Sequence, residues 1–128
     1  MYNSGMEHSK EFEDLVSEVK ARVKEISVAD TLERQKQGAE LIDVREDNEW
    51  DGGHASGARH IGRGVIERDI VNQIPDKNAE IILYCGGGYR SALAADNLQK
   101  MGYTNVWSMA GGWKAWKEEG APMEKEKG

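Results

Sequence analysis

The segment Ile81-Ile82-Leu83-Tyr84-Cys85-Gly86-Gly87-Gly88-Tyr89-Arg90-Ser91-Ala92-Leu93-Ala94-Ala95 constrains this chain more than any other. Four β-prone residues run into the cysteine, which is the pattern of a buried strand. Three glycines follow, so the backbone can turn sharply and point its N–H groups inward. Arg90 and Ser91 then open a helix that carries Ala and Leu. A strand that passes through a short glycine turn into a helix is the repeating unit of a parallel α/β fold. The same turn places a thiol at the strand's end, beside a ring of amides and a helix N-terminus. Both favour negative charge, so such a place stabilises the thiolate. Cys85 is the only cysteine of the chain. A lone cysteine is ordinarily a small buried hydrophobe. That role requires neither Gly-Gly-Gly after it nor Arg-Ser beyond.

The rest of the chain alternates helix and strand patterns. Phe12, Leu15, Val16, Val19 and Val23 recur at helical spacing within residues 7–24, with Ser9 as the N-cap. This amphipathic helix makes residues 1–25 an N-terminal extension, expected to pack on the domain rather than to pair two copies. Glu25-Ile26-Ser27 reads as a short strand. Ser27-Val28-Ala29-Asp30 resembles a capping box and opens a helix to Gln37, stopped by Gly38. Residues 39–44 read as a strand, 47–60 as irregular, and 66–73 as a short helix stopped by Pro75. The central strand, 80–84, leads to a helix over 91–101 that Gly102 ends. A strand over 105–109 and a helix over 112–119 follow, and residues 121–128 read as a flexible charged tail. The expected fold is therefore one α/β domain over 26–120, with a mostly parallel central sheet flanked by helices on both faces. Such sheets bind ligands beyond the carboxyl ends of their strands, where Cys85 lies.

Composition narrows the function classes. A length of 128 residues suits one domain with a real core. The formal charge of −6 argues against a nucleic-acid partner, which needs a basic face. No apolar run approaches the ~18 residues of a membrane span, and Met1–Lys10 lacks the apolar core of a secretory signal. One cysteine excludes an internal disulfide and a CxxC metal site, so neither metal nor cofactor is expected. A single reactive thiol suits a reducing cytosol, so a cytoplasmic location is expected. Five of the seven arginines lie between residues 45 and 90, against the acidic average. Arg59, Arg63 and Arg68 read equally well as solvated charges and as a basic rim that draws in a small anion.

Taken together, these residues resemble a single-domain rhodanese, a thiosulfate or persulfide sulfurtransferase. The family's loop of Cys, four residues, Arg, then Ser or Thr is matched by Cys85 to Ser91. Leu41-Ile42-Asp43-Val44-Arg45 with Glu49-Trp50 and Gly53-His54 is a second signature, and Gly57-Ala58 with Ile61 a third. Met101-Gly102-Tyr103, Val106 and Gly111-Gly112-Trp113 with Trp116 form the fourth. Ala55-Ser56 departs from the aliphatic residue and Pro common there. The resemblance implies that sulfane sulfur moves from a small anionic donor, thiosulfate or a persulfide, to a thiol or cyanide acceptor through a Cys85 persulfide.

Cys85 is thus the expected nucleophile, and Gly86, Gly87, Gly88, Tyr89, Arg90 and Ser91 the expected donor-binding residues. Amides of the loop would stabilise the persulfide anion as a preorganised oxyanion hole. The glycines would keep side chains out of the donor's way. Tyr89 reads as a pocket wall and Ser91 as the cap of the following helix. Arg90 can brace the loop or face the anion, and the resemblance favours a share in both. Asp43 and Arg45 lie on one face of their strand and read as supporting residues, with Arg45 pairing with Glu49 or Glu46. His54 reads as a hydrogen-bonded loop residue ahead of a general base. Trp113 and Trp116 read as core. Two other classes share parts of this pattern. Cysteine phosphatases and arsenate reductases typically put five residues between Cys and Arg, one more than here. Non-catalytic rhodanese-like binding modules usually lose the cysteine. A sulfur-relay subunit differs only in its acceptor.

Overall fold

The computed structural model describes residues 8–125. In chain order the elements are α1 (Lys10–Lys20), β1 (Lys24–Ile26), α2 (Val28–Lys36), β2 (Glu40–Asp43), α3 (Asp47–Asp51), β3 (His54–Ala55), β4 (Arg59–His60), α4 (Ile66–Gln73), β5 (Ile81–Tyr84), α5 (Tyr89–Lys100), β6 (Val106–Met109), α6 (Gly112–Glu118) and β7 (Met123–Glu124). Local sequence chemistry sets several boundaries. The hydroxyls of Ser9 and Ser27 accept the Phe12 and Asp30 amides at 3.0 and 3.1 Å, capping α1 and α2.

Five strands form a sheet in the order β1-β6-β5-β2-β4, with every pair parallel. Period-2 alternation in β5 sorts its side chains to two cores. Ile81 and Leu83, with Cys85 continuing the row, join the core built with α1, α4 and α5. Ile82 and Tyr84 join the other, with Trp116 and Val28. The continuous apolar run Ile-Ile-Leu-Tyr is thus what a strand covered on both faces requires, and the expected parallel α/β sheet is present. Connections from β2 lead outward to β4, and those from β5 lead the opposite way to β6. The chain's winding therefore reverses between β2 and β5. The carboxyl ends of these two strands flank the crevice where α/β sheets take ligands.

Three features differ from the sequence expectations. Residues 47–60 are not wholly irregular. They hold α3, whose Glu49 carboxylate reaches back to the Glu46 amide at 2.9 Å, and the two short strands β3 and β4. The segment after Glu119 does not begin as a free tail. Ala121 is buried, the Pro122 carbonyl accepts the Ser56 amide (3.0 Å) and the Trp116 indole (2.7 Å), and β7 pairs antiparallel with β3. Residues 126–128 of that tail lie outside the described residues. The helix after the cysteine begins at Tyr89, not Ser91.

The N-terminal extension is part of the core. Val16, Val19 and Val23 are buried among residues that include Leu93 of α5. Arg22 forms a two-pronged pair with buried Asp96 of α5 at 2.8 and 3.0 Å. No described helix is long and apolar enough to cross a membrane. Val16→Ala and Val19→Ala are each expected to cost about 1–2 kcal/mol in denaturant unfolding. A loss near zero for both would show that α1 is an appendage.

Candidate active site

Cys85 follows β5 directly and is almost fully buried. Its sulfur accepts the Gly88 N–H at 3.1 Å. Gly88 has φ +106°, a conformation that a side chain would strain, and it is the residue from which α5 starts. The thiol therefore sits in the first turn before a 12-residue helix whose free amides favour negative charge. The three glycines do not share one reason. A Cβ at Gly86 would lie 3.1 Å from an Arg90 guanidinium nitrogen. One at Gly87 would meet nothing within 4 Å. Backbone conformation sets Gly88, a neighbour sets Gly86, and Gly87 borders open space.

Ser91 is corrected from helix cap to sulfur neighbour. It lies buried inside α5, with its hydroxyl 3.5 Å from the Cys85 sulfur and 2.8 Å from the hydroxyl of Ser108 on β6. Ser108 was not among the expected site residues. Two buried hydroxyls in series can pass a hydrogen bond to the sulfur, or accept one from it, by rotating.

The floor of the loop is held by α6. The Trp113 amide donates to the Cys85 carbonyl (2.7 Å) and the Lys114 amide to the Gly86 carbonyl (3.2 Å). Gly112, at φ +53°, makes this approach possible. A Cβ there would collide with the Cys85 carbonyl oxygen and lie 2.9 Å from the Gly86 carbonyl carbon and oxygen. The indole of Trp116 is fully buried, as expected, whereas Trp113 is only partly so.

Two carboxylates engage the arginines nearest the site. Glu49 takes both prongs of Arg90 at 2.8 and 3.2 Å. Asp43 takes Arg45 through Nε and a terminal nitrogen, at 3.1 and 2.8 Å, and also accepts the Arg45 amide. The expected pairing of Arg45 with Glu49 or Glu46 is therefore replaced: two residues that share a strand face bind each other. Arg45 also donates to the Gly53 carbonyl and lies over the Trp113 ring, 4.8 Å from its centre. Burial opposes the charges here, but the partners prevail. Burial raises the Glu49 carboxyl, but the Arg90 hydrogen bonds, the Glu46 amide and the charges of Arg90 and Arg45 together leave the group below its usual range. Arg45 is pulled down by burial and up further by Asp43. Burial and the Asp43 charge hold the Tyr84 phenol neutral, and its oxygen accepts the Ala55 amide at 3.0 Å.

Other expected site residues have structural partners. His54 stacks on Trp50 with ring centres 3.4 Å apart, and its Nδ1 lies 3.0 Å from the Trp50 carbonyl. His54 is the first residue of β3 rather than part of a loop, and its Nε2 lies 3.6 Å from Glu124 on the paired strand β7. The Tyr89 ring faces α1, 5.8 Å from Phe12, and borders a recess of about 220 Å³ with Glu13, Val16, Ser17 and Lys20. Among the described residues no group of three or more His, Cys, Asp or Glu is placed to hold a metal ion.

Residues 27–119 match the Rhodanese-like domain family. The uncharacterized protein YqhL of Bacillus subtilis is 42% identical over 78 residues, 61% of this chain and 60% of that protein, so the match leaves more than a third of that relative uncovered. The thiosulfate sulfurtransferase GlpE of Pseudoalteromonas translucida is 35% identical over 103 residues, 80% of this chain and 94% of that protein. The polysulfide-sulfur transferase homodimer of Wolinella succinogenes superposes with a TM-score of 0.79 at 26% identity, covering 91% of this chain and 89% of that one. With the cysteine at the end of β5, its glycine turn and α5 all in place, the chain belongs to the family of rhodanese-like domains.

Proposed function

We propose that this protein is a sulfurtransferase that carries sulfane sulfur on Cys85. The observation that supports it most is the sulfur at the start of α5, bonded by the Gly88 amide and backed by Ser91. The Cys85 thiolate attacks the outer sulfur of thiosulfate. The S–S bond of the donor breaks, sulfite leaves with the electron pair, and a Cys85 persulfide anion remains. An acceptor thiolate, or cyanide, then attacks the terminal sulfur, and the Cys85 thiolate leaves. This is covalent catalysis, with one displacement split into two. Sulfite and the thiolate are both stable leaving groups, so neither step needs a proton from His54. Loop amides near the persulfide's terminal sulfur offset its charge without reorganising.

The Arg90–Glu49 pair favours sulfur over phosphate. A phosphate-transfer loop needs a guanidinium fork free to clasp a tetrahedral anion. Here both prongs of Arg90 are engaged by Glu49, so Arg90 acts as a brace between α3 and the loop. Its share in facing the anion is correspondingly small.

Incubation with thiosulfate is expected to add the mass of one sulfur atom to the intact protein, and cyanide to remove it as thiocyanate. Cys85→Ser should do neither. Sulfur loading by the serine variant would move the nucleophile elsewhere, and aryl-phosphate turnover matching sulfur transfer would favour a phosphatase. Arg90→Ala should lower the loading rate more than Arg90→Lys, because lysine keeps one bond to Glu49. His54→Ala should leave the rate's pH profile in place; an alkaline shift would make His54 the base.

The brace also has a pH signature. Glu49 titrates lower in the folded protein than in the unfolded chain, so its stabilisation is complete at neutral pH. It fades as pH falls below the ordinary glutamate value of 4.5 and through the lower folded value. Glu49→Gln is expected to cost about 1 kcal/mol at pH 7, since the pair is partly solvated, and progressively less in acid. An equal cost at pH 7 and pH 3 in urea unfolding would mean that the ion pair contributes nothing.

A further inference from the structure

We propose that Arg63 is the residue that recognises the negative charge of the sulfur donor; this deepens the sulfur-transfer reading and rests on it. The first support is a census of arginine partners. Arg22, Arg34, Arg45, Arg59, Arg68 and Arg90 each hold a carboxylate within 3 Å. Arg63, the seventh, holds none among the described residues. The basic rim anticipated from Arg59, Arg63 and Arg68 therefore reduces to one uncompensated charge. Arg59 is engaged by Glu40 and Arg68 by Asp69.

The second support is a buried donor without an acceptor. The Nε of Arg63 is closed off from solvent and has no hydrogen-bond partner. Buried N–H groups are nearly always satisfied, and an orphan on a guanidinium is costly. An anion can reach the guanidinium at its terminal nitrogens, which are not closed off and have no partner among the described residues, and its charge would offset the cost of the orphaned Nε.

The third support is position. The Arg63 amide donates to the Val44 carbonyl at 3.0 Å, and the Val44 amide to the Tyr84 carbonyl at 2.9 Å. Tyr84 is the residue before Cys85. Arg63 therefore stands two interstrand steps from the nucleophile, roughly 10 Å of backbone, a gap that an arginine side chain can largely span. It lies past the end of β4, on the carboxyl edge where the winding reverses between β2 and β5. Its neighbours Gly62 and Gly64 bring no side chains to crowd the guanidinium. Arg45 and Arg90 lie closer to the loop, but Asp43 and Glu49 neutralise them. An approaching dianion therefore finds its net attraction at Arg63.

Alkylation of Cys85 tests this apart from catalysis. Iodoacetate and iodoacetamide are nearly the same size and differ by one charge. Arg63→Gln is expected to slow iodoacetate about fivefold relative to iodoacetamide, and Arg63→Lys to keep most of the wild-type ratio. Arg63→Met, whose stem fills similar space, serves as the second variant should glutamine disturb the loop. In steady state the KM for thiosulfate should rise by a similar factor, with kcat within about twofold of wild type. An unchanged alkylation ratio overturns the proposal, and so does an unchanged thiosulfate KM in a protein that loads sulfur. If wild-type protein loads no sulfur, the sulfur-transfer reading falls, while the alkylation ratio still decides whether Arg63 draws anions to Cys85.

Discussion

The hydrogen bond from the Trp113 amide to the Cys85 carbonyl fixes the geometry on which the site depends. A strand that ends in glycines has no intrinsic reason to hold one loop shape. The backbone entropy of three glycines opposes any single conformation. The α6 amides counter this by binding the carbonyls of Cys85 and Gly86. They can come that close only because residue 112 has no Cβ. With the carbonyls held below, the Gly88 amide is free to turn toward the sulfur. The loop's amides and carbonyls are thus divided, the Gly88 amide turned toward the sulfur and the carbonyls toward α6.

Around this floor the charges are arranged in closed pairs. Asp43–Arg45 and Glu49–Arg90 each place a carboxylate on a guanidinium near the crevice. Neither pair adds much net stability: desolvation offsets the attraction in the buried Asp43–Arg45 pair, and solvent screens the half-buried Glu49–Arg90 pair. Their effect is geometric. Arg45 ties β2 to the Gly53 turn, and Arg90 ties α5 to α3 across 41 residues of sequence. The crevice therefore keeps its shape with nearly balanced charge, which is why one uncompensated arginine carries weight in the proposed donor recognition.

Much of the fold was legible in the sequence because its signals are local. The period-2 and 3.6 patterns, the serine caps at 9 and 27 and the glycines at 38 and 102 act within a few residues. They placed the main strands and helices and the cysteine at the end of β5. What the sequence left open depends on partners far apart in the chain. Glu49 could have been sought through its i+3 relation to Glu46, yet its bond to Arg90 has no local trace. Ser108 looks like any strand serine until β6 lies beside α5. The pairing of β7 with β3 involves two residues on each side, too few for a periodic signal. Ser91 was misread because the αL turn at Gly88 starts the helix two residues early.

The clamp on the loop comes from the last helix, and that helix is itself secured by later residues. Trp116 donates its indole N–H to Pro122, and Pro122 accepts the Ser56 amide. Cys85 is therefore translated well before the residues that close its cradle. During synthesis the thiol and its glycines emerge as a loose turn, and contacts this distant in sequence form late. The geometry around Cys85 is in this sense a property of the finished chain. A nascent or truncated protein that ends before α6 would carry Cys85 without the bonds that hold its loop, as an ordinary thiol on an open turn.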